Sequence, residues 1–138
     1  MPPASPDSAA RLDLARRFID ECFDQPIDLA VMARRAGLSR FHFVRAFRRQ
    51  FQTTPHRYLQ ELRIRRAQQL LAAGELSVTD VCLEVGFASP QSFSALFHRL
   101  VGQPPAAYRA RRLVVVPALR VVPARVFVPD CYRRLLAA

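Results

Sequence analysis

Apolar residues recur at steps of three and four along much of the chain, which is the spacing of one face of an α-helix. Leu12, Ala15 and Ile19 follow this spacing near the start, and Phe93 and Phe97 follow it again much later. Turn and capping residues interrupt the pattern and divide it into segments. The pattern predicts seven helices and no strand before residue 112: residues 7–25, 29–36, 40–51, 55–73, 78–85, 90–101 and 105–112.

Capping signals fix where most of these segments begin and end. Side chains that can accept a hydrogen bond from the first helical turn precede four of them: Asp28, Ser39, Ser77 and Ser89. Glycine, which tolerates the left-handed conformation of a helix C-cap, follows four of them: Gly37, Gly74, Gly86 and Gly102.

The pattern occurs twice. Phe43 and Phe47 have counterparts fifty residues later in Phe93 and Phe97, and the serine caps, prolines and tyrosines around them pair at the same offset. Upstream the offset is 49 residues, so one residue is inserted in the turn of the second copy. Each copy is a short helix, a turn with glycine and a second helix opened by serine, which is the helix-turn-helix arrangement.

We therefore predict an all-α fold in which two helix-turn-helix subdomains are joined by a long linker helix. The predicted parts are a disordered start (1–6), the first subdomain (7–54), the linker helix (55–74), the second subdomain (75–112) and an extended, Pro-rich C-terminal tail (113–138). Prolines recur every six residues in that tail, at Pro117, Pro123 and Pro129, which excludes a helix. We expect the tail to pack on the helical body or on a second protomer.

Composition narrows the class of partner. The net charge of +10 over 138 residues comes entirely from arginine, which favours nucleic acid first and an anionic membrane second. Cys22, Cys82 and Cys131 form no CxxC pair, so neither a disulfide framework nor a metal site is predicted. The start lacks the apolar segment of a signal peptide, and a cytoplasmic protein is expected. No catalytic constellation is recognisable, so we expect neither an enzyme nor a cofactor.

The second helix of each copy has the features of a helix that enters a DNA major groove. Phe41, Val44, Arg45 and Arg48 share its outward face in the first copy, and apolar side chains there suit thymine methyl groups. Ser39 would leave the N–H groups of its helix N-terminus open to phosphate. The linker helix would be about 28 Å long, close to the spacing of about 34 Å between major grooves on one DNA face.

These residues resemble the AraC/XylS family of transcription regulators over roughly residues 8 to 112. The second copy matches the family pattern at Gly86, Phe87, Phe93, Phe97, Gly102, Pro105, Tyr108 and Arg109. The first copy and linker match at Leu38, Ser39, Arg40, Phe43, Phe47, Thr54, Pro55, Tyr58, Leu59, Arg63, Ala67, Leu70 and Leu71. The resemblance implies two units that bind double-stranded DNA at promoters and recruit or block RNA polymerase.

The resemblance also implies which residues contact DNA. The base-contacting positions fall on Phe41, Val44, Arg45, Pro90, Gln91, Ser92, Ser94 and Ala95. We expect phosphate contacts from Ser39, Arg40, Arg48, Arg49, Ser89, His98 and Arg99. The protein is expected to bind DNA as a monomer, with a dimer through the tail as the alternative, and to act without the ligand-binding domain that most relatives carry.

Three residues depart from the family pattern. Gln52 stands where glycine is usual, Ala95 where a long basic side chain is common, and His98 where lysine is usual. We therefore expect the N-terminal unit to dominate specificity. Two other functions stay open at this point: a nonspecific nucleoid or RNA-binding protein, and a DNA-repair regulator that uses Cys131.

Overall fold

The computed structural model describes residues 6–111. The predicted disordered start up to residue 5, the Pro-rich tail and Cys131 lie outside these residues. Within them the chain forms seven helices and no strand, which confirms the all-α prediction. The helices are α1 (Pro6–Cys22), α2 (Leu29–Ala36), α3 (Arg40–Phe51), α4 (Pro55–Ala73), α5 (Val78–Glu84), α6 (Pro90–Val101) and α7 (Pro105–Ala110).

Small differences from prediction occur at helix ends. α1 begins at Pro6 and ends at Cys22, because the N–H of Gln25 turns back to the carbonyl of Cys22 (3.0 Å) and Pro26 disfavours a helical Gln25. α5 ends one residue early because Val85 leaves the helical region, with φ −89° and ψ 3°. α7 ends two residues early, at Ala110.

The chain divides into two compact units, Met1–Arg66 and Ala67–Ala138, and the division falls within α4. In the first unit α1, α2 and α3 pack on one another; in the second α5, α6 and α7 do the same. Each unit therefore places the second helix of its helix-turn-helix, α3 or α6, against the short helix that precedes it. We refer to α3 and α6, the helices predicted to enter the major groove, as the recognition helices.

The four predicted N-caps all form. Each capping oxygen accepts a hydrogen bond from the backbone N–H three residues later, at 2.8 to 3.3 Å: Asp28, Ser39, Ser77 and Ser89. Each such cap stabilises its helix by about 1 kcal/mol. The cap of α5 contains a second hydrogen bond, because the Ser77 hydroxyl also donates to the Asp80 carboxylate (2.8 Å).

The turn of each helix-turn-helix is closed by the same backbone hydrogen bond. The N–H of Leu38 donates to the carbonyl of Ala33, and the N–H of Phe87 donates to that of Cys82, both at 3.0 Å. The glycine before each donor has a positive φ, 65° in the first unit and 95° in the second, as a left-handed cap requires. The duplication in the sequence is therefore a duplication of backbone geometry.

The cores of the two units contain matching aromatic triads. The first consists of Phe43, Phe47 and Tyr58, and the second of Phe93, Phe97 and Tyr108. Successive ring centroids are 5.6 and 5.8 Å apart in the first triad, and 5.7 and 5.5 Å apart in the second. The four phenylalanines are fully buried and belong to the cores of their units. These rings fix the inner face of each recognition helix and leave the opposite face exposed.

The turn after α3 contains a strained residue. Gln52 has φ +58° and is the one non-glycine residue with positive φ among residues 6–111. Its counterpart Gly102 has φ +91°. The left-handed conformation costs a residue with a Cβ about 1–2 kcal/mol. The Gln52 side chain offsets part of this cost by donating through Nε2 to the carbonyl of Arg49 (2.9 Å).

A partly buried polar contact joins α1 to α4 within the first unit. The hydroxyl of Tyr58 donates to Oδ1 of Asp20 at 2.5 Å. Burial raises the pKa of Asp20 above its ordinary value, and the Tyr58 hydrogen bond and the Arg16 charge oppose that rise. Tyr58 belongs to the family pattern in the sequence, but nothing in the sequence indicates this partner.

Candidate nucleic-acid interface

The α3 outer face consists of Phe41, Val44, Arg45 and Arg48. Phe41, Arg45 and Arg48 are exposed at steps of four and three, and Val44 is half-buried between them. Phe41 is the most exposed large apolar side chain among the described residues, with 84% of its surface accessible. An exposed ring beside two guanidinium groups suits a surface that carries both negative charge and apolar edges, as a DNA major groove does.

Positive charge surrounds this face. Arg40 and Arg49 are also exposed, so α3 carries four arginines in 12 residues and no acidic residue. Four guanidinium groups on one short exposed helix attract phosphate and provide planar, bidentate donors. The predicted phosphate-contacting residues of the first unit therefore lie beside its predicted base-contacting residues.

The α6 outer face consists of Gln91, Ser94, Ala95 and His98, fifty residues after the members of the α3 outer face. The exposure matches position by position: Gln91, Ala95 and His98 are exposed, and Ser94 is half-buried like Val44. The backbone thus presents the same four positions in both units, but with different chemistry.

The residues around the α6 outer face complete the predicted set of the second unit. Pro90, Ser92 and Arg99 are exposed, and Ser89 is half-buried. α6 carries one arginine, against four in α3. Electrostatic attraction to phosphate is therefore much stronger at the first recognition helix than at the second.

Both recognition helices begin with a serine cap, and the capping hydrogen bond determines which further hydrogen bonds the serine hydroxyl can make. The Ser39 oxygen already accepts from the N–H of His42, and the Ser89 oxygen from that of Ser92, both at 3.3 Å. Each hydroxyl is therefore left with its hydrogen to donate to a phosphate. Pro90 has no N–H, so the first turn of α6 offers one backbone donor fewer than that of α3.

The structure adds one candidate that the sequence prediction omitted. His42 is exposed in the first turn of α3. It occupies the position fifty residues before Ser92, which was included among the base-contacting residues. Applying the fifty-residue offset to every predicted residue would have found it. The predicted residues share one exposed surface in each unit, and their contacts with DNA remain a prediction.

Other kinds of site find no support in the described part of the chain. Residues 6–111 contain no group of three or more His, Cys, Asp or Glu side chains that could hold a metal ion. None of the helices in this range is both long and apolar enough to cross a membrane.

Comparison with known proteins agrees with this geometry. The family model of the helix-turn-helix domain matches residues 32–111. The regulatory protein SoxS of Salmonella typhimurium is 38% identical over 99 residues, a match that covers 68% of this chain and 88% of SoxS. The transcriptional activator RhaS of Shigella boydii is 37% identical over 93 residues, covering 67% of this chain but 34% of RhaS.

Solved structures show the same fold. The DNA-binding domain of the global transcriptional factor AdpA, in complex with a target DNA, is 33% identical with a TM-score of 0.73, over 78% of this chain and 97% of that one. An AraC-type regulator from Chromobacterium violaceum is 29% identical with a TM-score of 0.68, over 80% and 98% of the two chains.

Together the fold, the exposed faces and these matches define a DNA-binding regulator of transcription with two helix-turn-helix units. The chain belongs to the AraC/XylS family.

Proposed function

We propose that the protein binds a bipartite site in double-stranded DNA, with the α3 outer face in one major groove and the α6 outer face in the next. The observation that carries this proposal is the matched exposure of equivalent positions in both recognition helices, each held on its own aromatic core.

The α3 outer face provides the stronger half of the specificity. Arg45 donates bidentately to the O6 and N7 atoms of a guanine, and Phe41 and Val44 contact thymine methyl groups. Arg40 and Arg49 bind the phosphates on either side. A recognition helix with this composition selects a short element that contains both guanine and thymine.

The α6 outer face provides the weaker half. Gln91 can bond an adenine bidentately, whereas the methyl side chain of Ala95 has no group that can hydrogen-bond to a base edge. His98 and Arg99 contact phosphate. Substitutions in the second half-site therefore reduce affinity less than substitutions in the first.

The two half-sites lie about one helical turn apart. Successive major grooves on one DNA face lie about 34 Å apart. One monomer carries both recognition helices, α3 and α6, so a second copy is not needed to fill the two half-sites. At a promoter, the bound protein recruits or blocks RNA polymerase.

Selection from a random duplex DNA pool at about 150 mM salt tests the proposal. We expect a single enriched site with two elements about 10 base pairs apart, the first carrying more sequence information. A pool that stays unenriched, together with affinity that falls equally for all sequences as salt rises, would replace the proposal with nonspecific binding through the net charge of +10.

A further inference from the structure

Arg63, on α4, donates two hydrogen bonds to the segment that connects α1 to α2. Its Nε donates to the carbonyl of Phe23 (2.6 Å) and its Nη2 to the carbonyl of Gln25 (2.9 Å). Burial lowers the pKa of Arg63 from its ordinary value, and the neighbouring Asp24 carboxylate opposes that fall. The guanidinium thus spans two carbonyls located just before the N-cap Asp28 of the first helix-turn-helix.

Arg109, on α7, does the same in the second unit. Its Nε donates to the carbonyl of Leu76 (3.0 Å) and its Nη2 to that of Gly74 (3.3 Å). These carbonyls lie just before Ser77, the N-cap of the second helix-turn-helix. Both arginines use Nε and Nη2 on two carbonyls that are two residues apart. The order along the chain is reversed: Nε binds the earlier carbonyl in the first unit and the later one in the second.

The two arginines are not partners in the sequence duplication, so the equivalence emerges only in the structure. The fifty-residue offset pairs Arg109 with Leu59, one helical turn before Arg63. Residues four apart lie on the same face of a helix. α7 has only six residues and places its arginine one turn nearer its start, on the face that corresponds to that of Arg63.

Electrostatics and geometry both favour arginine at these positions. Neither α1 nor α4 has a basic residue in its last turn, where cations stabilise the unpaired carbonyls of a helix C-terminus. Arg63 and Arg109 bring that charge from a different helix. Only a guanidinium has two parallel N–H donors in a rigid fork, whereas a lysine ammonium is a single point charge.

We propose that Arg63 and Arg109 are equivalent positioning residues, each of which fixes the recognition helix of its own unit. Each ties the helix after the recognition helix to the segment before the first helix of the helix-turn-helix. Because the recognition helix lies between these two points in the chain and packs on that first helix, both of its ends are constrained. Arg63 thereby sets the accuracy of base recognition by α3, and Arg109 that by α6. This inference rests on the proposed bipartite binding.

Two measurements on the full-length chain test the proposal. The first is amide hydrogen exchange without DNA: Arg63→Ala should increase exchange in residues 23–30, and Arg109→Ala in residues 74–80. The second is discrimination, the ratio of Kd values for a half-site carrying a base substitution and for the intact site. We expect Arg109→Ala to reduce discrimination at the second half-site roughly tenfold or more, the scale of a lost charge-assisted hydrogen bond, without affecting the first. Arg63→Ala should do the reverse.

Matched variants separate this role from others. Arg17→Ala in the first unit and Arg111→Ala in the second remove the same charge from exposed positions, and they should leave both discrimination ratios unchanged. Arg63→Lys and Arg109→Lys keep the charge without the fork, and they should behave like the alanine variants. If an alanine variant fails to fold by circular dichroism, glutamine, which keeps an amide donor, replaces alanine.

Three results would overturn the proposal: unchanged exchange in both segments, an equal loss of discrimination at both half-sites, or full rescue by lysine. A loss of affinity that is equal for all sequences, together with a salt slope reduced by about one, would instead indicate that these arginines contact phosphate. If the wild-type chain selects no site, the proposed function fails, and the exchange measurement alone still decides whether the forks hold these segments.

Discussion

Replacing thymine by deoxyuridine in the first half-site tests whether Phe41 contacts a thymine methyl group. The two bases differ only by that methyl, so base pairing and backbone charge are retained. Burying one methyl contributes about 0.8 kcal/mol, or roughly a fourfold change in Kd. We expect this loss at the one or two thymines that face Phe41 and no loss at thymines elsewhere in the site.

The size of the Phe41→Ala effect follows from its exposure. A phenylalanine side chain presents roughly 200 Å², of which 84% is accessible in the protein. If a base edge covers half of that area, about 85 Å² is buried, worth about 2 kcal/mol at 25 cal/mol per Å², or roughly 30-fold in Kd. Folding stability should change by less than about 0.5 kcal/mol, because the side chain is on the surface.

Fluorescence anisotropy with the selected duplex measures both effects and their coupling. In Phe41→Ala the deoxyuridine penalty should disappear, since the methyl no longer has a partner, whereas Gln91→Ala should leave the penalty at its wild-type value. Equal deoxyuridine penalties in wild type and Phe41→Ala would refute the contact.

Three further predictions concern the arginines of α3, the backbone strain at Gln52 and the pH dependence of stability through Asp20. Arg45→Ala should weaken the free energy of DNA binding by about 1–3 kcal/mol and relax the base preference at one base pair. Arg48→Ala should weaken binding to all sequences and reduce the salt slope by about one. Anisotropy titrations at several salt concentrations measure both effects. Gln52→Gly should stabilise the protein by about 0.5 kcal/mol, raising Tm by a few degrees, because glycine adopts positive φ without the steric cost. Burial raises the pKa of Asp20 above its ordinary value of 3.8, so the folded state holds this proton more tightly, and stability should fall as pH rises through the raised pKa. Asp20→Asn should flatten that dependence in urea unfolding curves measured just above pH 3.8.

Each of these predictions has a control within the chain. Ala95→Ser should change the preference at no first-half-site base pair, in contrast to Arg45→Ala. Gly102→Gln is the reverse of Gln52→Gly, and it should destabilise by about 1 kcal/mol through backbone strain alone, because a Cβ at Gly102 meets no atom within 4 Å. Ser8→Ala, on the same helix as Asp20, changes no ionisable group and should leave the pH dependence intact. Equal Tm values for wild type and Gln52→Gly, or an unchanged pH slope in Asp20→Asn, would contradict the corresponding prediction.

The local part of the fold was predictable because local chemistry determines it. Ser39 and Ser89 begin their helices as predicted, since an N-cap depends on a side chain and a backbone group three residues apart. The ends were less predictable: Val85 has no sequence signal that marks it as non-helical. The aromatic triads were predictable too, because the spacing of Phe43 and Phe47 fixes their common face.

Contacts between distant residues were not predictable in the same way. The family pattern contains Arg63 and Arg109, but the carbonyls they bind are 33 to 40 residues away in the chain. No periodicity relates such pairs. The Asp20–Tyr58 hydrogen bond could not be predicted from the sequence for the same reason, because it depends on how α1 and α4 pack within the first unit. Which outward residues contact a base or a phosphate stays a prediction.

The matching aromatic triads have a consequence for how this protein can change over time. Because each triad holds its recognition helix from the inside, the outward side chains carry almost none of the folding energy. Mutation can therefore exchange them one by one, in one copy and not in the other, while the protein stays folded. The base preference of one half-site can therefore change while that of the other stays the same. Single base substitutions in a promoter can compensate for each such change, so that regulator and target site evolve together in small steps.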